Sequence, residues 1–343
     1  MTDLSQPLDV VEVAAALMRI DSTSGREGDV IAFTHEFLEQ RGWTVRRIHV
    51  SDGRDNILAT FSDAPAATLS THLDTVPPFL PPRVEGDKLW GRGACDAKGI
   101  AAAMICAADL LRGAGYPVAL LFVVGEETSH DGAIAANSFP ARSRVLINGE
   151  PTESTLAAGT KGALRVTLET AGVAAHSAYP QFGRSAIAEL VELLHELRTL
   201  EFPTDPTLGD TTVNIGMISG GIADNVLAPA AQARIMLRLV SPADEMLAML
   251  CRWAGDRASV TGGVSMPAAR LRTLAGFPTS VVAFATDIPA LTSWGTPYLF
   301  GPGSIRFAHR DDEHVAISEL RSAVSAYERL AVLALQAAAE SDA

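Results

Sequence analysis

The segment "STHLDTVPPFLPPRVEGDKLWGRGACDAKG", residues 70–99, sets His72 two residues before Asp74 and then Asp96 in a glycine-bearing turn. On extended chain, residues two apart share a face. The Asp74 carboxylate is therefore placed to take the proton on one imidazole nitrogen of His72. The other nitrogen is then free for a metal ion, in a fixed tautomer. Taken singly, His72 also reads as a structural strand-end histidine, Asp74 as a solvated turn residue before Pro77 and Pro78, and Asp96 as a helix N-cap. The turn is not the dinucleotide fingerprint G-x-G-x-x-G, because Asp96 stands where the third glycine belongs.

More donors follow along the chain. "VVGEETSHDGA" puts Glu126 and Glu127 directly after an apolar run. Neighbours on extended chain point in different directions, so one can ligate a metal while the other addresses a water; the plainer reading is two solvated glutamates opening a loop. "INGEPT" repeats the arrangement with Glu150, and "GPGSIRFAHRDDEHV" offers His309 in a loop before the last helix. His314, beyond the acidic turn, reads as that helix's N-terminus. Nitrogen and oxygen donors without cysteine suit zinc, or cobalt and manganese, in a hydrolytic site. Charge argues for two ions: their +4 balances the −4 of Asp96, Glu127, Glu150 and a bridging hydroxide. A neutral set tolerates burial far better than a bare carboxylate cluster.

The elements that must position these residues can be read from patterning. Residues 8–42 form two helices around the turn "DSTSGREG", with Ser24 as a cap. Short β-type runs follow in "WTVRRIHV", "NILATF" and "ATLSTHL". "AKGIAAAMICAADLLRGAG" is an alanine-rich helix, and "PVALLFVVGEE" and "VLINGE" are strands buried on both faces. Such strands alternating with helices predict an α/β domain with a mostly parallel sheet. From residue 162 the texture changes. "GALRVTLETAG" alternates apolar and polar residues, and a β-α-β-β-α order predicts a small antiparallel sheet with two helices. From about residue 269 the α/β pattern returns and ends in a long helix. The expected organisation is a domain over 1–161 and 269–343, interrupted by an inserted α+β domain over 162–268.

Composition narrows the function classes. The chain has 343 residues, 48% of them hydrophobic and 20% charged, with a net charge of −13. That charge argues against nucleic acid and anionic membrane surfaces as partners. The apolar runs are too short and too interrupted by charge to span a bilayer. The N-terminal "MTDLSQPLDVVEVAAALMRI" lacks the basic start of a secretory signal. Three scattered cysteines suit neither a disulfide framework nor a thiolate zinc site. A cytoplasmic protein is expected.

The ordered set "THLDTVP", "GRGACDAKG", "GEE", "GEPT", "AAHSAYP", "DNVLAP" and "AHRDDEHV" closely resembles the dinuclear-zinc aminoacylase family of metallopeptidases. That family includes acetylornithine and acetyl-lysine deacetylases, succinyl-diaminopimelate desuccinylase and carboxypeptidases of the G type, and the likeness covers essentially the whole chain. It implies a zinc-peptidase-like catalytic domain, with the insert as a lid and dimerisation domain. It implies two zinc ions, one on His72 and Glu150, the other on Glu127 and His309, with Asp96 bridging and followed by a cis peptide. Glu126 would be the general base and Asp74 the residue orienting His72. His176 would donate to the oxyanion in the partner subunit's site, Asn225 would meet substrate, and Arg238 would take the substrate carboxylate. An aspartate usually precedes that arginine by two positions; Met236 stands there, and Arg234 is the alternative. The implied activity is release of a free amino acid from an N-acyl, foremost N-acetyl, amino acid, in amino-acid biosynthesis. The alternatives are a dipeptidase or carboxypeptidase of the same family, and a binding homologue without activity.

Overall fold

A computed structural model describes residues 7–139 and 143–341. The chain divides into two compact units. One runs to Ala158 and resumes over Leu271–Ser280 and from Thr286 onward; the other comprises Gly159–Arg270 and Val281–Ala285.

The first unit is built on a six-stranded sheet, in the order Thr44–Ser51, Arg54–Thr60, Val118–Val123, Ala67–His72, Val145–Asn148 and Thr296–Leu299. The last four strands are parallel, and the first two join antiparallel. Alternate residues of the Val118–Val123 strand serve opposite cores. Leu120 and Phe122 enter the large cluster with the helices Val10–Met18, Lys98–Gly113 and Ile317–Ser341, while Leu121 and Val123 join Trp294 and Ala133 on the other face. This is why the strand reads as one unbroken apolar run: both of its faces are dry. The alanine-rich helix Lys98–Gly113 is buried along most of its length, and its small side chains let it lie close to its neighbours.

The sheet delivers the candidate donors to one edge. His72 is the last residue of its strand and pairs with Val123, just before the Gly125–Glu127 turn. Glu150 follows the Val145–Asn148 strand by two residues. The C-terminal edge of parallel strands is where open α/β folds place their chemistry.

The second unit has a four-stranded antiparallel sheet in the order Thr212–Gly220, Ala230–Leu239, Gly162–Ala171 and Ser259–Met266. The helices Ala186–Leu197 and Ala243–Ala254 supply apolar residues to its single core. The Ser259–Met266 strand is absent from the sequence reading, because its adjacent Gly262 and Gly263 leave few side chains to mark it. Two smaller expectations are also corrected. Ser24 does not cap the second helix; Glu27 holds the N-cap position, and Ser24 bonds to Asp74 instead. His314 lies on the short strand His314–Ala316 that pairs with Lys88–Trp90, not on the helix.

Asn56, fully buried, bridges the sheet to the turn that carries the two glutamates: its side chain accepts from the Val124 amide and donates to the Gly132 carbonyl. Asn56→Ala strands both groups inside the protein and should cost about 2–4 kcal/mol of unfolding free energy. Urea denaturation checks this, and a cost below about 1 kcal/mol contradicts the bridging role.

Candidate metal centre

The donors predicted from His72, Asp96, Glu127, Glu150 and His309 all fall in the first unit, and they meet. His72 Nε2 lies 3.0 Å from Asp96 Oδ1 and 4.0 Å from Glu150 Oε2. His309 Nε2 lies 3.0 Å from Glu127 Oε1 and 3.5 Å from Asp96 Oδ2. The two oxygens of Asp96 thus face two different imidazoles, the geometry of a bridging carboxylate. Zinc bonds of about 2.0–2.2 Å put neighbouring donors on a tetrahedral ion about 3.3–3.6 Å apart. The observed separations bracket that value.

The electrostatics fit cations as well. Glu150 Oε1 is buried with no hydrogen-bond partner. Burial, with the charge of Glu150, pushes the Glu126 carboxyl well above its ordinary range. Burial does the same to Glu150, with Asp96 adding to it. Against its own burial, His72 is held protonated well above the usual imidazole range by Asp74 and Asp96. His309 is raised to about 10 by Asp96 and Glu127. Protons on the two rings supply the positive charge that the carboxylates demand, at the positions where ions would sit. The residues fit a pair of zinc ions, one among His72, Asp96 and Glu150, the other among Asp96, Glu127 and His309.

Local structure explains how each donor is aimed. His72 Nδ1 is 3.0 Å from the Asp74 backbone carbonyl and 3.4 Å from Asp74 Oδ1. The carbonyl, rather than the expected carboxylate, is the shorter contact. The carboxylate has further work: it accepts from the amides of Glu126 at 3.1 Å and Glu127 at 3.2 Å, and from Ser24 Oγ at 2.7 Å. Gly125 makes the preceding turn at φ 73°, and a side chain there would run into Asp131 and Arg54. His309 sits at φ 65°, a left-handed conformation that costs energy for a non-glycine residue and recurs at functional sites. The Asp96–Ala97 peptide is cis, as the resemblance implies.

Glu126 faces a pair that sequence reasoning did not single out. His130 Nδ1 lies 2.8 Å from Asp287 Oδ1 and 3.8 Å from Glu126 Oε1. Ser24, Arg92 and Glu313 were also missed as site residues. Each acts through a partner far away in sequence, and no local pattern marks them.

His176, Asn225, Arg234 and Arg238 belong to the second unit. His176 and Asn225 come together there: His176 pairs with Val226, and the Ser177 amide donates to the Asn225 carbonyl at 2.9 Å. Both lie beyond the sheet end marked by the Ala171–Ala230 pair, whereas Arg238 pairs with Ala163 at the opposite end. Eight residues of strand separate Ala230 from Arg238, about 27 Å. Arg234 is exposed, with its guanidinium against Met217 Sδ at 3.8 Å.

A mostly parallel sheet bearing a histidine–carboxylate cluster at its strand ends, with an α+β unit inserted, defines a zinc-peptidase-like hydrolase. Residues 158–250 match a peptidase dimerisation domain family. A peptidase M20 domain-containing protein of Schizosaccharomyces pombe is 38% identical over 341 residues, covering 96% of this chain and 85% of that protein. A probable carboxypeptidase of Aspergillus fumigatus is 36% identical, over 94% of this chain and 86% of its own. Among solved structures, a tripeptidase of Staphylococcus aureus superposes with a TM-score of 0.80 at 20% identity, covering 97% of this chain and 100% of the other. An M20 family metallo-carboxypeptidase of Sulfolobus solfataricus gives 0.77 at 16% identity, covering 96% and 99%. The chain belongs to the M20 peptidase family. It is a metal-dependent hydrolase acting on amide bonds. Among the described residues, no helix is long and apolar enough to cross a membrane.

Metal ligation needs a bare ring nitrogen, so an ion binding at His309 must expel its proton. With the ring held protonated to about 10, affinity at that position should rise with pH from neutral toward that value. Titration calorimetry of metal-free protein near pH 7, in buffers of different ionisation enthalpy, should report proton release on zinc binding. Heats independent of buffer contradict this geometry.

Proposed function

We propose that the protein hydrolyses the amide bond next to a free α-carboxylate, releasing an amino acid from a short peptide or an N-acyl amino acid. The carrying observation is the two-sided Asp96 carboxylate, with Glu126 in the same buried cluster and turned toward the His130–Asp287 pair. The names of full-length relatives, carboxypeptidases among them, support short peptides ahead of the acetylated amino acids that the motifs alone suggest. The neighbours in fold, a tripeptidase and a dipeptidase among them, agree with that order.

When bound, the zinc ions supply Lewis acidity, polarising the amide carbonyl and making water nucleophilic near neutral pH. Glu126 takes the proton from the attacking water and passes it to the leaving amine. Asp74 holds the Glu126 main chain and the His72 ring in register. His176 donates to the developing oxyanion. Asn225 meets the substrate, and Arg238 holds its carboxylate. In an acyl amino acid the scissile carbonyl and the carboxylate are three bonds apart, about 4 Å. One chain cannot serve both ends of so small a molecule with His176 and Arg238, which lie at opposite ends of one sheet. That mismatch supports a homodimer in which His176 and Asn225 work in the partner's site, and the dimerisation-domain match agrees.

Glu126→Gln keeps size and removes basicity. It should retain both metals by elemental analysis and lose roughly 10²–10⁴-fold in kcat. Loss of metal from this variant, with retention in Glu127→Gln, exchanges the two roles. An amine-release screen of acetyl-, succinyl- and peptidyl-amino acids on zinc-loaded protein tests the substrate class; peptides with a blocked C-terminus should be poor substrates.

His176→Ala should lower kcat by about 10²–10³-fold with both metals in place. Mixing it with Glu126→Gln chains should restore partial activity, since one site of each heterodimer then combines an intact base with a donated histidine. Heterodimers that form and stay inactive contradict the cross-subunit role.

A further inference from the structure

Glu313, in the turn that follows His309, carries no role in the chemistry above, yet its carboxylate is wholly buried. Its Oε1 accepts from three amides of one loop, Gly93 at 2.9 Å, Cys95 at 3.1 Å and Asp96 at 3.2 Å. Its Oε2 takes a charge-assisted bond of 2.6 Å from Arg92 Nη1. Arg92 is itself 2% exposed; it also donates to the Arg310 carbonyl at 3.2 Å and the Pro78 carbonyl at 3.3 Å. The Gly91 amide returns a bond of 3.0 Å to the Glu313 carbonyl. Converging main-chain amides of this kind form a nest for an anion. Here the anion is a side chain of the same protein.

What the nest connects gives it meaning. One wall is the main chain of Asp96, whose two oxygens face His72 and His309. The other wall is the segment Arg310–Glu313, directly after His309. We propose that Glu313, with Arg92, is a positioning residue for the second metal ion, fixing Asp96 and His309 relative to one another. The first ion depends on it less. Of that ion's three ligands only Asp96 lies on a segment that Glu313 joins; His72 ends a strand and Glu150 follows another. The second ion draws two of its three protein ligands, Asp96 and His309, from the segments that Glu313 joins. This inference rests on the ligand assignment given for the metal centre and used in the proposed function.

A purely structural role for a buried ion pair predicts something different: lowered stability, with normal metal affinity in the molecules that remain folded. The distinguishing measurement is stepwise zinc titration of metal-free, full-length protein against a chromophoric chelator, beside a thermal melt. Glu313→Ala should weaken the second zinc about 10–100-fold, the usual loss when a ligand's supporting partner is removed, and leave the first little changed. Its kcat should fall at limiting zinc and recover as zinc is raised, with KM unchanged. Glu313→Gln preserves an acceptor for the loop amides and loses the charge pair. It should show the same ordering with a smaller loss, and it keeps the test valid if the alanine variant fails to fold. Equal, wild-type affinities for both ions in folded Glu313→Gln overturn the proposal, whatever the melt shows. Wild-type protein titrated in parallel checks the ligand assignment separately: fewer than two ions there overturns both readings, while two ions bound with the same affinities by wild type and variant overturn only the clamp.

Discussion

Carboxylates that repel one another are packed where water scarcely reaches, and most of the molecule's first unit is arranged around that repulsion. Asp74, Asp96, Glu150, Asp287 and Glu313 are all at most 5% exposed, and Glu126 and Glu127 stand beside them. Burying a charge is costly unless it is paired or hydrogen-bonded. Three means of compensation are visible. Main-chain amides serve Asp74 and Glu313. A buried arginine serves Glu313. Imidazoles serve Asp96, Glu127 and Asp287. Burial still raises Glu127 and Glu313, and it drives the carboxyls of Glu150 and Glu126 furthest toward the neutral form. The largest unmet demand for positive charge therefore lies at the place where divalent ions fit.

Such a site needs walls that do not yield. The strands Ala67–His72, Val118–Val123 and Val145–Asn148 are buried from end to end and hydrogen-bonded side by side. A donor at a strand end inherits that rigidity. The loop donors have none of it, and they are the ones secured by side chains: Asp74 clamps the Glu126–Glu127 turn and Glu313 clamps the Asp96 loop. Preorganisation on this scale keeps catalytic groups within the narrow geometry that catalysis requires.

Adjacent glutamates are held in different directions by the same means. Their amides are tied to the two oxygens of one carboxylate, so the turn cannot rotate to exchange their side chains. Glu127 is then directed to His309 and Glu126 toward the His130–Asp287 pair. Sequence reasoning could say that the two differ, because neighbours on extended chain diverge. Their assignment came from resemblance, and the contacts on each side hold the two carboxylates in different surroundings.

Much of this protein was legible before any coordinates. Apolar runs flanked by turn residues located the buried strands, the alternation in "GALRVTLETAG" marked the half-exposed sheet of the second unit, and donor chemistry at successive strand ends indicated a hydrolytic metal centre. These are local properties, set by side-chain periodicity and residue type within a few positions. The fourth strand of the second unit escaped notice because glycines carry no periodicity. Tertiary structure alone decided which Asp96 oxygen meets which imidazole, that Ser24 serves Asp74 across 50 residues rather than a helix end, and that Glu313 reaches back 218 residues to the amide of Cys95. Such partners are chosen by where the chain happens to be brought together. No spacing along the sequence can encode them, because the energy that selects each one exists only after water has been removed from both sides of the contact.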